Sequence, residues 1–223
     1  MKKLTLLLIA ILLVAVTTKA QEEEQTTPKT IEPAKMTLTF EPGYLFMSGL
    51  KLNFSYNMGK GNWIVVSPVF YGAVRDTSNY IYERDRSYHK LIGYGLELGH
   101  KVFLFHEYYN NRAKGFYFKY DFKYTYFNIK KTLTTDFVNP DGSYSQRPGT
   151  ENTHISKVGG DIILGLQLSV QEKIFFDFYT GVGIRYSTFD SNTSTAYQYN
   201  QNVWDFGYTG IVPVFGVRVG VAL

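Results

Sequence analysis

The stretch Gly115-Phe116-Tyr117-Phe118-Lys119-Tyr120-Asp121-Phe122-Lys123-Tyr124-Thr125-Tyr126 constrains the chain more than any other. Every second residue is aromatic: Phe116, Phe118, Tyr120, Phe122, Tyr124 and Tyr126. The residues between them are Tyr117, Lys119, Asp121, Lys123 and Thr125. A β-strand sends successive side chains to opposite sides, so this alternation predicts a strand with one apolar and one polar face. Its length matches the roughly 9–11 residues a tilted strand needs to cross the hydrocarbon of a bilayer. Turning it over would place Lys119 and Lys123 in lipid, at about 2–4 kcal/mol each near the midplane. The aromatic face is therefore expected to meet lipid and the charged face to lie inside.

The N-terminus has a different character. Met1-Lys2-Lys3, an apolar run from Leu4 to Val16 and then Thr17-Thr18-Lys19-Ala20 predict a secretory signal peptide over 1–20, cleaved between Ala20 and Gln21. Lys2, Lys3 and Lys19 leave with it, so 20 of the 23 basic residues remain against 19 acidic ones. The mature chain has no basic stripe, and no nucleic-acid partner is expected. Residues 21–35, acidic and carrying two prolines, predict a flexible periplasmic leader. The absence of cysteine excludes disulfides, thiolate metal sites and a catalytic thiol. No later apolar run is long enough for a membrane helix, so any spanning must be done by strands closed into a barrel.

Residues 36–223 divide into eight such strands. Met36, Leu38 and Phe40 alternate with Thr37, Thr39 and Glu41 before Pro42-Gly43, where a bulge or bend is expected because proline cannot donate to a ladder. The pattern resumes at Leu50–Tyr56, then at Trp63–Ala73, Leu91–Phe105, the Gly115 strand, Lys157–Val170, Ile174–Tyr186 and a last strand ending at Leu223. The connections alternate short and long: 58–61 then 75–90, 106–114 then 131–156, 171–173 then 189–205. Short periplasmic turns, long outside loops and an even strand number are the layout of outer-membrane barrels. The expected fold is all-β, an eight-stranded antiparallel up-and-down transmembrane β-barrel with both termini periplasmic and loops 75–90, 131–156 and 189–205 extracellular.

The phrases Glu41-Pro42-Gly43-Tyr44-Leu45, Trp63-Ile64-Val65-Val66-Ser67-Pro68, Gly93-Tyr94-Gly95-Leu96-Glu97-Leu98-Gly99-His100-Lys101 and Gly181-Val182-Gly183-Ile184-Arg185-Tyr186 carry a resemblance. The chain resembles the small outer-membrane β-barrels of OmpA/OmpX-type architecture, and within them an uncharacterised group common in Bacteroidota. The similarity lies in strand patterns over the mature chain rather than in any catalytic motif.

An eight-stranded barrel is just wide enough for side chains to fill it. The inward set is Lys51, Glu97, Lys101, Lys119, Asp121, Lys123, Asp161, Asp177, Arg185 and Arg218. Counting up from the short-turn end sets Asp177 near Arg218 and Asp161 near Arg185, which predicts an ionic plug, since unpaired buried charges are costly. Inward glycines are expected to make room for these side chains.

No catalytic residue, cofactor or metal is expected. Small outer-membrane enzymes use His and Ser on a lipid-facing rim, and none of His89, His100, His106 and His154 forms a His-x-Ser arrangement on a strand facing lipid. His106-Glu107 lacks the second histidine of a zinc helix. The expected partners are outer-membrane lipid and a protein or glycan ligand at the Tyr/Ser/Asn-rich loops. The expected role is structural or surface-interacting, within an envelope assembly. The competing readings are a narrow solute channel, a lipid-modifying enzyme, and a secreted lipocalin-like carrier with the rings of 116–126 turned inward.

Overall fold

The computed structural model describes residues 34–74, 90–104, 114–138, 140, 143–170, 173–191 and 199–223, with backbone alone at 132–138 and 144–148. The signal peptide, the Ala20–Gln21 cleavage and the leader before Ala34 lie outside these residues. So do most of loop 75–90 and residues 105–113.

The elements are β1 (Met36–Phe40), a single helical turn α1 (Gly43–Phe46), β2 (Gly49–Gly59), β3 (Asn62–Val74), β4 (Lys90–Phe103), β5 (Gly115–Val138), β6 (Tyr144–Val170), β7 (Ile174–Ser191) and β8 (Gly210–Ala222). Each strand pairs with the next, and β8 returns to β1, all antiparallel. The result is an eight-stranded up-and-down barrel with no free sheet edge at the seam's lower end. There Met36 and Leu223 exchange backbone hydrogen bonds, at 3.3 and 2.9 Å. Both ends of the strand set therefore meet at the end that carries the Lys60-Gly61 turn.

Side-chain parity follows from the pleat. On β5, Phe116 and Phe122 are 56% and 59% exposed, whereas Tyr117 and Lys119 between them are fully buried. The same parity holds on β6 (Ile162 and Leu164 outward, Asp161 and Ile163 inward) and on β7 (Val182 and Ile184 outward, Gly183 inward). The lipocalin-like arrangement is thus overturned, because the rings cover the outside and the charges fill the inside. On β3, Val65 and Val69 point inward and Ile64, Val66 and Phe70 outward. The β2–β3 ladder passes from Lys51↔Val69 to Phe54↔Val66 without pairing at Pro68, which has no N–H to give. Inside that gap Ser67 Oγ donates to Asn53 Oδ1 at 2.7 Å.

Three expectations need correction. First, residues 131–156 are not a loop. β5 and β6 run 24 and 27 residues and stay in register from Lys131↔Glu151 to Val138↔Tyr144, forming a hairpin arm beyond the barrel. The segment lacks the alternating apolar face of the other strands, yet it stays in the ladder. Pro140 lies in a turn between the two strands. Second, Phe189–Ser191 belong to β7, and in the described part of the following connection Tyr199 and Phe206 pack inward while Gln201, Asn202 and Trp204 stay exposed. Third, of the bulge or bend expected at Pro42-Gly43, the chain makes a bend as the helical turn α1, since φ of −60° and ψ of −28° at Pro42 suit a helix start.

The interior has two apolar layers. Trp63, Phe103, Tyr117, Ile163 and Tyr179 pack towards the short-turn end. Leu91, Phe127, Ile129, Ile155 and Tyr199 pack towards the arm, backed by Phe189 and Phe206. Gly165 is what allows the lower layer to close, for a Cβ there would lie 2.1 Å from Cζ of Tyr117. That ring is fully buried and its hydroxyl is bonded, so it cannot step aside. Gly165→Ala is expected to cost about 1–3 kcal/mol through overpacking. Gly72→Ala, where a Cβ meets nothing within 4 Å, should cost nothing comparable. The temperature at which the folded band disappears in unheated-versus-heated electrophoresis reads both.

Candidate functional site

The inward residues of the middle strands meet between the two apolar layers, and there the charged groups form a connected network. Glu97 is one hub. Its carboxylate takes Lys119 Nζ at 2.5 Å, Lys51 Nζ at 2.8 Å and Lys123 Nζ at 3.2 Å. Register explains this: Glu97 on β4 lies opposite Lys123 on β5, with Lys119 four register pairs nearer the turn on the same face. Lys119 also stands 2.9 Å from Asp121, and Lys123 pairs with Asp161. Asp161 is held from its other side by Arg185 Nη1 at 2.6 Å.

Asp177 is the second hub. It is the register partner of Arg218, whose Nη1 lies 3.2 Å away. Tyr117 O–H donates to it at 2.6 Å, and Lys101 Nζ stands at 3.3 Å while also donating to Gln167 Oε1 at 3.0 Å. Two rings complete the cage. Lys101 Nζ sits 4.1 Å from the Tyr117 centroid and the Arg218 guanidinium 3.8 Å from that of Tyr179. Such contacts favour a desolvated cation over an aromatic face.

All ten residues expected in the lumen lie on the inward face. Lys51, Glu97, Lys101, Lys119, Asp121, Asp161, Asp177 and Arg218 are buried, with Lys123 and Arg185 slightly more open. The six aromatic residues Phe116, Phe118, Tyr120, Phe122, Tyr124 and Tyr126 lie on the opposite face. Sequence reasoning missed Glu41, which joins the two hubs. It accepts from Tyr179 O–H and from Arg218 Nε at 3.2 Å, and pairs with Lys51 at 3.4 Å. Its parity with Thr37 and Thr39 was the available signal, masked by the proline that follows it. Also missed was the inward turn of 199–208. Tyr199 is buried in the upper layer, and Phe206 packs on Phe127 with centroids 5.0 Å apart. The Asp205 carboxylate shapes this segment by accepting from the N–H groups of Gln201 and Asn202 at 2.9 and 2.7 Å. Between this cap and the ionic network lies a cavity of about 400 Å³.

The histidines need one correction. Because β6 begins at Tyr144, His154-Ile155-Ser156 is a His-x-Ser arrangement on an outward-facing strand, which treating 131–156 as a loop concealed. Its chemistry is occupied elsewhere. His154 Nδ1 is 2.6 Å from Tyr126 O–H and Nε2 is 3.0 Å from Asn152 Nδ2, while Ser156 Oγ contacts Tyr124 O–H at 3.5 Å. His100 packs edge-on against Tyr120 at 5.4 Å. His89 and His106 lie outside the described residues. Among the described residues no three His, Asp or Glu side chains cluster as metal ligands do.

Removing one partner of a buried charged cluster strands the others. Asp177→Ala leaves Arg218 and Lys101 without their shared carboxylate and is expected to cost about 3–5 kcal/mol. Replacing Asp177 and Arg218 together by Leu and Met should restore part of that loss, because the uncompensated charge goes with its partner. Urea unfolding of the detergent-solubilised barrel measures both.

Neither a family model nor a curated protein matches the chain. It is similar to the solved structures of CarO and CarO2 from Acinetobacter baumannii. Each is 10% identical, with TM-scores of 0.43 and 0.37, and the alignments cover 88% and 87% of this chain and all of theirs. A likeness at that level carries no functional weight.

Proposed function

We propose that the chain is an integral outer-membrane β-barrel of non-catalytic character, with a closed lumen and a surface role played by the β5–β6 arm and the capping segment. The observation that carries this reading is the inversion of polarity. A continuous belt including Phe122, Leu164, Ile184 and Phe215 is exposed, while the charges are enclosed. A monomer in water rarely shows a contiguous apolar surface beyond a few hundred Å². In lipid the same belt is the favourable surface, and the ladder pairs the backbone groups of every strand in the barrel wall on both sides except along the upper β1–β8 seam. The lumen argues against a pore in turn. Its lysines and arginines other than Lys157 are held by carboxylates, and a layer containing Trp63, Phe103 and Tyr117 packs across the lumen.

With the short turns in the periplasm, the arm would stand outside the cell, where a protein or glycan ligand could reach it. The finer resemblance, to the Bacteroidota-type group of small barrels, belongs to this reading too. Fractionation tests it: the protein should stay with outer membranes through alkaline carbonate extraction, and its folded and heated forms should migrate differently. In planar bilayers the wild type should give no steady conductance steps. Regular ion-conducting openings would overturn the closed lumen and favour the solute channel.

A further inference from the structure

The barrel wall is incomplete on one side. β1 stops at Phe40, so only Thr37↔Ala222 through Phe40↔Val219 close the seam with β8. Above Val219, β8 is paired with β7 up to Gly210, but its other edge has no strand partner among the described residues. Its place is taken by the segment carrying α1, which turns back to bond β2 and β3 through Glu41 N–H to Lys51 O and Gly72 N–H to Ser48 O. Pro213, which has no N–H to offer, sits on this unpaired stretch of β8, as edge strands permit.

The cavity above the ionic network borders this gap. Its lining includes Val212 and Val214, which face inward, and Pro213 and Phe215, which face outward. All four of these residues lie on the stretch of β8 that has no partner on its β1 side among the described residues. The mouth is apolar: Met47 stands on the α1 side, and Trp204 and Phe215, edge-to-face at 6.1 Å, stand on the β8 side. The inner end is cationic. Lys51, Lys123, Lys157, Arg185 and Arg218 line it against the carboxylates of Glu41, Asp161 and Asp205. Asp205 is committed to its own turn, and Lys157 Nζ donates to the Asp205 carbonyl at 3.2 Å without a carboxylate partner among the described residues.

We infer that this gap is a lateral entrance from the bilayer, admitting a single-chain anionic amphiphile of the long-chain fatty acid class. The acyl chain lies between Met47, Trp204 and Phe215, and the carboxylate reaches Lys157 beside Arg185. This rests on the membrane reading above. A volume of about 400 Å³ falls within the range of small-molecule sites. Lys51, Lys123, Arg185 and Arg218 are already paired, so the Lys157 ammonium selects an anion, and the apolar mouth is continuous with the surface that meets lipid.

The test uses the whole barrel in nanodiscs of zwitterionic lipid and radiolabelled palmitate. Saturable binding is expected, unaffected by hexadecyltrimethylammonium, which has the same chain and the opposite charge. Lys157→Gln should weaken it about tenfold, the scale of one charge-assisted hydrogen bond. Because the chain has no cysteine, Met47→Cys can be labelled alone with a bulky maleimide, which should abolish binding. The same label at Leu164→Cys, exposed on β6 away from the gap, should leave it intact. An inserted barrel without saturable binding overturns the inference alone, as does equal competition by the cationic amphiphile or binding indifferent to the Met47 label. A dimer joined at this edge, separated by that label, overturns it as well. A protein that never inserts overturns the membrane reading together with this one.

Discussion

The pleat of a β-strand obliges neighbouring residues to live in different surroundings, and this barrel sets lipid-like surroundings against ionic ones across a single sheet. Nothing else in the structure is independent of that division. Rings at 116, 120 and 122 can be exposed only because 117, 119 and 121 between them are enclosed. The enclosed residues can in turn be charged only because closure brings opposite signs within reach from different strands. A one-residue slip of any strand would put its lysines onto the apolar outer face and its rings into the network.

The ionic network is held by this geometry rather than holding it. Buried ion pairs barely repay their desolvation, so their contribution is to specificity of register. Glu97 gathers lysines from β2 and β5, Asp177 gathers cations from β4 and β8, and Glu41 spans β1, β2, β7 and β8. Each hub therefore ties several staves of the barrel together, including the short seam at β1. Where the network ends the wall also weakens, and the cavity beside β8 occupies that place.

The capping segment shows how a surface connection becomes part of the interior. Residues 199–208 are rich in polar groups, yet Tyr199 and Phe206 reach down onto Phe127 and its neighbours. Asp205 satisfies the backbone of the turn that makes this possible. The barrel is consequently closed by an aromatic layer at each end, with charges and a cavity between them.

Taken alone, the sequence decided the parity of the strands, their order and the face on which each lysine and aspartate would lie, because period-two alternation is local and every strand core from Leu50 to the end displays it. It also decided the pairing of Asp177 with Arg218, since residues on adjacent antiparallel strands are located by counting from the turn. The tertiary structure alone decided the rest. The arm at 131–156 carries no amphipathic signal beyond the barrel, so only its ladder reveals it as strand. Glu41, the cap and the lateral gap arise where β1 ends early and chain segments distant in sequence converge, and no local pattern records the meeting of residues 41, 179 and 218. Periodicity reports the environment of one strand, whereas closure determines which strands share it.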